Sequence, residues 1–184
     1  MFESIKNFFR AKRLKTDASD TPTGFIPLEQ IKTADVVIDV EEPGFDQLKE
    51  DILAWGRNNR IKVNIFFIDF RKLGKDELLM TSIQTTIIKK ELNWYGLPPK
   101  EKVSMLTEGQ HDLYISMLDN TDFTADYLSK CSKAKFKIGR HSYTGNPFDF
   151  VLTTGQTGEN LKADLRSNSR EVFAAIADLL TKIS

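Results

Sequence analysis

Lys133, Lys135 and Lys137 recur at every second position within Lys130 to Phe150, interleaved with Ala134, Phe136 and Ile138, and Arg140 follows them. In an extended chain alternate side chains point to opposite faces. The stretch is therefore expected to form a strand with ammonium groups on one side and an apolar seam on the other. Such a row suits contact with phosphate groups or another anionic partner, an RNA-containing assembly included, and steep salt dependence would be its mark. The same spacing also describes a solvated edge strand, whose lysines discourage sheet-to-sheet association. In that case nearby acids pair the charges at little gain in stability. Both readings are open in the sequence.

A second group follows from the expected sheet. In open parallel sheets ligands collect beyond the carboxyl ends of the strands, near the point where strand order reverses. The residues expected there are Glu41 and Glu42 after the first strand, Asp119 and Asn120 after the strand at Leu113 to Leu118, and Gly139, Arg140 and His141 after the lysine strand. Acids facing an arginine and a histidine could bind a polar ligand of the nucleotide or sugar-nucleotide type. They are equally the residues that cap helices and shape turns.

Other chemistry is thinner. Cys131 with His111 or His141 would need a base close in space to act as a nucleophile, and Cys131 falls on the apolar face of an expected helix, where a thiol is usually inert. The two histidines lack a zinc spacing such as His-Glu-x-x-His, and the loop from Gly155 to Gly158 lacks the Lys and Ser/Thr of a phosphate loop. Neither a metal site nor a cofactor is expected.

The amino terminus has its own character. At about 100° per residue, Phe2, Ile5, Phe8 and Phe9 gather on one side of Met1 to Lys15, with Lys6, Arg10 and Arg13 toward the flank, until Lys12 interrupts the stripe. This is a short basic amphipathic helix. Such a helix can lie on an anionic membrane surface, meet a protein partner, or pack as a flap on its own domain.

These groups need a scaffold. The 184 residues are 40% apolar, enough for one substantial core, and their 26 basic side chains equal their 26 acidic ones. That balance argues against nucleic-acid binding by the whole domain. Cys131 is the only cysteine, so no intrachain disulfide can form and a reducing compartment fits. No apolar run reaches the roughly 18 residues of a membrane span, and a secretory signal is not expected. The location expected is cytoplasmic, with peripheral contact at the inner membrane as an extension.

Thr16 to Gly24 reads as linker, dividing a tail at residues 1–24 from a single domain at 25–184. Val36 to Val40 and Val63 to Phe70 read as buried strands flanking a helix with Phe45, Leu48, Ile52 and Trp55 on one face. A short strand is expected near Thr85 to Ile88, after an ambiguous stretch that includes Leu78 and Leu79. Trp94 and Tyr95 are expected to fold onto the core, with base stacking as the alternative. Pro98 and Pro99 open a helix that Gly109 closes. Thr121 is expected to cap the helix carrying Phe123, Tyr127, Leu128 and Cys131. Gly145 to Pro147 turns the chain into a last strand at Phe148 to Leu152, a polar loop covers Gly155 to Asn168, and Ser169 caps a final helix. The fold class is α/β: a Rossmann-like three-layer sandwich with a mainly parallel sheet of five or six strands, preceded by the amphipathic helix.

Leu92 to Val103 (LNWYGLPPKEKV), Asp112 to Asn120 (DLYISMLDN) and Ser132 to Arg140 (SKAKFKIGR) resemble a Bacteroidetes domain-of-unknown-function family. The likeness extends over most of the chain and implies a fold without implying catalytic residues. A weaker likeness, in the succession of strand, helix and basic strand ending at Arg140, is to the N-terminal half of heptosyltransferase-like glycosyltransferases. Those enzymes work between two domains, whereas one is expected here, so the comparison concerns fold alone.

Two function classes follow. The leading one is a non-catalytic cytoplasmic adaptor that uses the basic helix and the lysine-lined strand to meet a membrane surface, an RNA-containing assembly or a protein partner. The alternative is a small enzyme or ligand binder at the strand ends.

Overall fold

The computed structural model describes residues 2–72, 81–152 and 169–183. Helix α1 spans Phe2–Asp17, followed by strand β1 at Thr33–Asp39, α2 at Phe45–Asn59 and β2 at Lys62–Asp69. Then come β3 at Thr86–Ile88, α3 at Lys100–Glu108, β4 at Leu113–Ser116, α4 at Phe123–Cys131, β5 at Phe136–Gly139, β6 at Phe150–Val151 and α5 at Ser169–Lys182. The six strands form one sheet in the order β3-β2-β1-β4-β5-β6, and every pairing is parallel. This is the strand order of a doubly wound Rossmann-like sheet, with its reversal between β1 and β4.

The sheet is covered on both sides, which is why its strands read as continuous β-branched runs. Ala34, Val36 and Ile38 of β1 pack with Phe45, Leu48 and Ile52 of α2 and with Ile176 and Leu180 of α5. Val37, one residue out of phase, packs instead with Leu106 of α3 and Leu128 of α4. α2 stops at Arg60, which takes the left-handed conformation (φ 59°) and donates its backbone N–H to Arg57 and Gly56. Trp55 meets Phe173 edge-on at 5.9 Å, joining α2 to α5.

The lysine stretch departs from expectation. β5 begins only at Phe136, so Lys133 and Lys135 precede the strand, and β5 is flanked by β4 and β6 instead of lying at an edge. Phe136 and Ile138 face α2 and α5, which turns Lys137 toward the α4 side, where it is 3% exposed. A sheet covered twice has no solvated face, so alternation puts Lys137 inside.

Smaller differences have local causes. Asp122, not Thr121, occupies the capping position of α4, and its side chain makes no capping hydrogen bond. Ser169 is buried, with its hydroxyl oxygen accepting from Arg140 at 2.9 Å. The expected linker is held along the domain: Ser19 N–H donates to the Lys130 carbonyl (2.9 Å) and Gly24 N–H to that of Lys135 (2.8 Å). Leu78, Leu79 and the loop from Gly155 to Asn168 lie outside the described residues.

Candidate binding surface

Helix α1 lies against α4 and the loop after β3. Arg10 donates its Nε–H to the Tyr95 carbonyl at 2.7 Å and sets its guanidinium 5.0 Å from the centre of the Phe123 ring, a cation–π contact. Leu14 packs against the α3/α4 core, and one turn on Asp17 accepts a hydrogen bond from the Tyr127 hydroxyl and an ion pair from Arg13, both at 2.7 Å. Burial and the Asp17 carboxylate both push the Tyr127 hydroxyl upward in pKa. It therefore stays a donor.

The docking side of α1 is thus largely polar, and its apolar stripe is not the part that is covered. Phe2 and Phe8 are each 64% exposed, Ile5 46% and Phe9 41%. Trp94, expected in the core, is 50% exposed and extends the patch: its ring lies 5.9 Å from Phe2 and 5.3 Å from Phe9, while Tyr95 stacks on Phe9 at 6.1 Å. Beside Trp94 a groove of about 300 Å³ is lined by Lys6, Arg10 and Lys89, with Asp122 as the opposing acid. Phe2, Ile5, Lys6, Phe9, Arg10 and Arg13 therefore meet on one element, with Arg10 and Arg13 partly spent on holding it in place.

The strand ends do bring together Glu42, Asp119, Arg140 and His141, in a closed arrangement. Arg140 is 4% exposed; its Nη1 donates to Glu42 (2.7 Å), Ser169 Oγ (2.9 Å) and the Met117 carbonyl (3.3 Å), and its Nη2 lies 3.3 Å from Asp119. Burial raises the Glu42 carboxyl above its ordinary value even with Arg140 beside it. His141 sits 4.0 Å from Asp119, and Tyr143, buried against Phe148, donates its hydroxyl to the Asn120 carbonyl at 3.1 Å. Glu41 is exposed, and its backbone N–H donates to Asp39 at 2.8 Å. Burial raises the Asp39 carboxyl, and crowding by Glu41, Asp69 and Asp122 adds to the rise. The end of β1 thus runs into Glu41 and Glu42 ahead of Pro43 and Gly44, so two acids stand in the turn where a phosphate-binding loop would offer open N–H groups.

The lysines divide. Lys135 is exposed and pairs with Asp112 at 2.9 Å, and Lys133 lines a groove of about 540 Å³ with Arg13, Asp17, Lys100 and Glu108. Lys137 donates from Nζ to the Ser129 carbonyl at 3.1 Å, and burial lowers its pKa to about 8. It cannot belong to an anion-binding face. Cys131 is buried, and burial pushes its thiol up to about 12. His111 is held by Asp35 through Nδ1, and Asn64 donates to the same carboxylate at 2.9 Å. Among the described residues no cluster of three or more His, Cys, Asp or Glu could hold a metal ion, and no helix is long and apolar enough to cross a membrane. The Gly155 to Gly158 turn lies outside the described residues.

Residues 3–164 match the profile of a family described as "Family of unknown function (DUF6913)". The chain belongs to this family. No curated protein and no solved structure gives a significant match, and neither comparison supports the heptosyltransferase-like likeness. The DUF6913 match begins within the first turn of α1, so the helix and the sheet fall inside one matched span.

Several residues that shape this DUF6913 chain carry no local signal in the sequence. Tyr127 and Asp17 form the α1 latch across 110 positions, Lys89 joins Lys6 and Arg10 beside Trp94, and Ser169 completes the Arg140 cluster. For the patch itself the adjacent aromatics Trp94 and Tyr95, followed by Gly96 at φ 94°, are the local clue, since a tight turn carrying two large rings presents at least one outward.

Proposed function

We propose that this chain is a non-catalytic cytoplasmic binding protein, peripheral to the inner membrane in one form of the reading. It meets a membrane surface, an RNA-containing assembly or another protein through α1 and the Trp94 loop. The observation that carries this reading is the contiguous exposed patch of Phe2, Ile5, Phe8, Phe9 and Trp94 on a helix held to its domain by Arg10, Leu14 and Asp17. A raised apolar patch rimmed by charge marks an interaction site more often than idle surface. Lys133 adds a cation near the Asp17 end of α1, Lys135 is paired with Asp112, and Lys137 is buried. A ligand site at the strand ends has less support, because Arg140 is already engaged by Glu42, Asp119 and Ser169 and the surrounding acids oppose an anionic ligand.

The test is to replace Phe2, Phe8 and Trp94 together by serine in the full chain. Association with purified partners, RNA and vesicles is then compared at equal concentration. Loss of binding with an unchanged thermal midpoint is the expected result, and undiminished binding of every kind would remove this surface from the mechanism.

A further inference from the structure

Resting on that reading of α1, we infer that the partner it meets is an anionic phospholipid surface, with Phe2, Ile5, Phe8 and Trp94 inserted at the interface and the Lys6–Arg10–Lys89 groove receiving lipid phosphate. Orientation comes first. Around the helix, Arg10, Leu14 and Asp17 centre on the docking side, and the Phe2, Ile5, Phe8 and Phe9 stripe centres roughly 130° away. Docking therefore points the stripe outward. Since α1 buries none of its residues fully, the patch stands out from the domain. A standing ridge of this kind can enter an interface, whereas a peptide partner asks for a groove.

The chemistry agrees with the shape. Phenylalanine and isoleucine fill the stripe and an indole stands beside them, and tryptophan is the residue most at home at headgroup depth. Ile5 in the centre of the patch cannot stack on a base, which counts against a single-stranded RNA platform. Charge is complementary and local: α1 carries five basic residues against Glu3 and Asp17, a net +3 in a chain whose net charge is 0. Lys12 lies on the stripe side one turn beyond Phe8, and its long stem lets the ammonium reach the headgroups while the apolar neighbours go deeper. Lys89 is exposed and lines the groove beside Trp94 together with Lys6 and Arg10. Lys12 along the helix and the Lys6, Arg10 and Lys89 groove beside Trp94 therefore set cations next to the aromatic ridge, as anionic lipid requires.

The experiment uses the full chain and sedimentable vesicles of phosphatidylcholine, alone or with about 30 mol% phosphatidylglycerol. Tryptophan emission is recorded alongside sedimentation. Trp55 is already buried, so a blue shift on adding vesicles reports Trp94, and Trp94→Phe should abolish the shift. Binding should be about tenfold weaker on neutral vesicles, and Phe2→Ser with Phe8→Ser should weaken anionic binding by about tenfold. Lys89→Glu should lower anionic binding severalfold while leaving any residual neutral binding unchanged. Both phenylalanines are largely exposed, so an unaltered melting midpoint is the control for folding. Failure of the wild-type chain to sediment with anionic vesicles, or binding indifferent to the two serines, overturns the lipid assignment. If vesicles fail while a purified protein, RNA or second copy of the chain binds in a Phe2- and Phe8-dependent way, the contact surface stands and lipid is the wrong occupant. If every form of binding ignores those residues, both readings fall.

Discussion

Replacing Lys137 by methionine would remove one ammonium from the α4 side of the sheet and keep an unbranched side chain of similar length. The group sits at 3% exposure, with its Nζ donating to the Ser129 carbonyl in the last turn of α4, where helix carbonyls lack an intrahelical partner. Burial lowers its pKa from 10.5 to about 8, while Cys131 and Asp149 act in the other direction. The folded pKa thus lies below the unfolded one. Between those two values the unfolded chain holds a proton that the folded chain has released, so stability rises with pH. At about 1.4 kcal/mol for each pH unit separating the folded and unfolded values, the charged form costs the fold about 3 kcal/mol, of which about 1 kcal/mol is recovered between pH 7 and pH 9.

Urea unfolding of the wild-type and Lys137→Met chains at about pH 7, 8 and 9 measures this directly. At pH 7 the two should differ little, because methionine sheds about 3 kcal/mol of charge burial but leaves the Ser129 carbonyl unsatisfied at a cost of about 1–3 kcal/mol. The pH slope carries the information: the stability of the wild type relative to the variant should rise by about 1 kcal/mol over the interval. The range stops at pH 9 because Cys131 acts with the opposite sign. Its thiol is pushed from 9.0 up to about 12, so the unfolded chain loses that proton first and stability falls above pH 9. Running both chains with Cys131→Ala removes the coupling between the two groups. A difference that stays flat from pH 7 to pH 9 would refute the burial argument for Lys137.

Gly139→Ala should destabilise the domain by about 1–3 kcal/mol in the same assay, since a Cβ there would lie 2.6 Å from Cζ of the Phe148 ring. Adding Phe148→Leu should recover part of that loss. Tyr127→Phe removes the hydroxyl that donates to Asp17. A hydrogen bond to a charged group contributes about 1.5–3 kcal/mol, so α1 should undock more often, and limited proteolysis between residues 18 and 24 should speed up by roughly tenfold. Equal cleavage rates would show that Asp17 and Tyr127 do not govern docking.

The sheet was legible because burial on both faces writes itself as β-branched runs: Val36 to Val40, Val63 to Phe70 and Thr85 to Ile88 all became strands within a few residues of those bounds. What alternation could not say is which side of β5 meets water. Two-residue periodicity separates Lys137 from Phe136 and Ile138, but when helices cover both faces the separated side is still interior, and only a partner such as the Ser129 carbonyl makes a lysine tolerable there. The apolar stripe of α1 was equally plain, yet its direction was not. Hydrophobic patterns assume that the apolar face is the buried one, and here Arg10, Leu14 and Asp17 do the docking. Trp94 misled for the same reason. The Arg140 cluster depends on Glu42 and Ser169, 98 and 29 residues away, and no local pattern encodes such a meeting.

The distribution of charge explains why contact chemistry in this fold would move away from its usual place. In a sheet of this order the crevice between β1 and β4 attracts phosphate when the following helix offers bare N–H groups and its positive end. Here Glu41 and Glu42 stand before α2, Arg140 is drawn to Glu42, and Asp39, Asp69 and Asp122 crowd the ends of the neighbouring strands. An anion approaching that crevice meets like charge, and the buried Arg140 guanidinium that could offset it is already committed to acids. One of those acids, Asp122, also lines the groove with Lys6 and Arg10. In a chain of net charge 0, α1 alone carries a net +3, and it is the element whose apolar side is left uncovered. Raising ionic strength should then weaken attraction to a distant anionic surface steeply, since exposed charges more than about 10 Å apart are screened first, and act little on α1 docking through the short Arg10–Tyr95 and Tyr127–Asp17 hydrogen bonds.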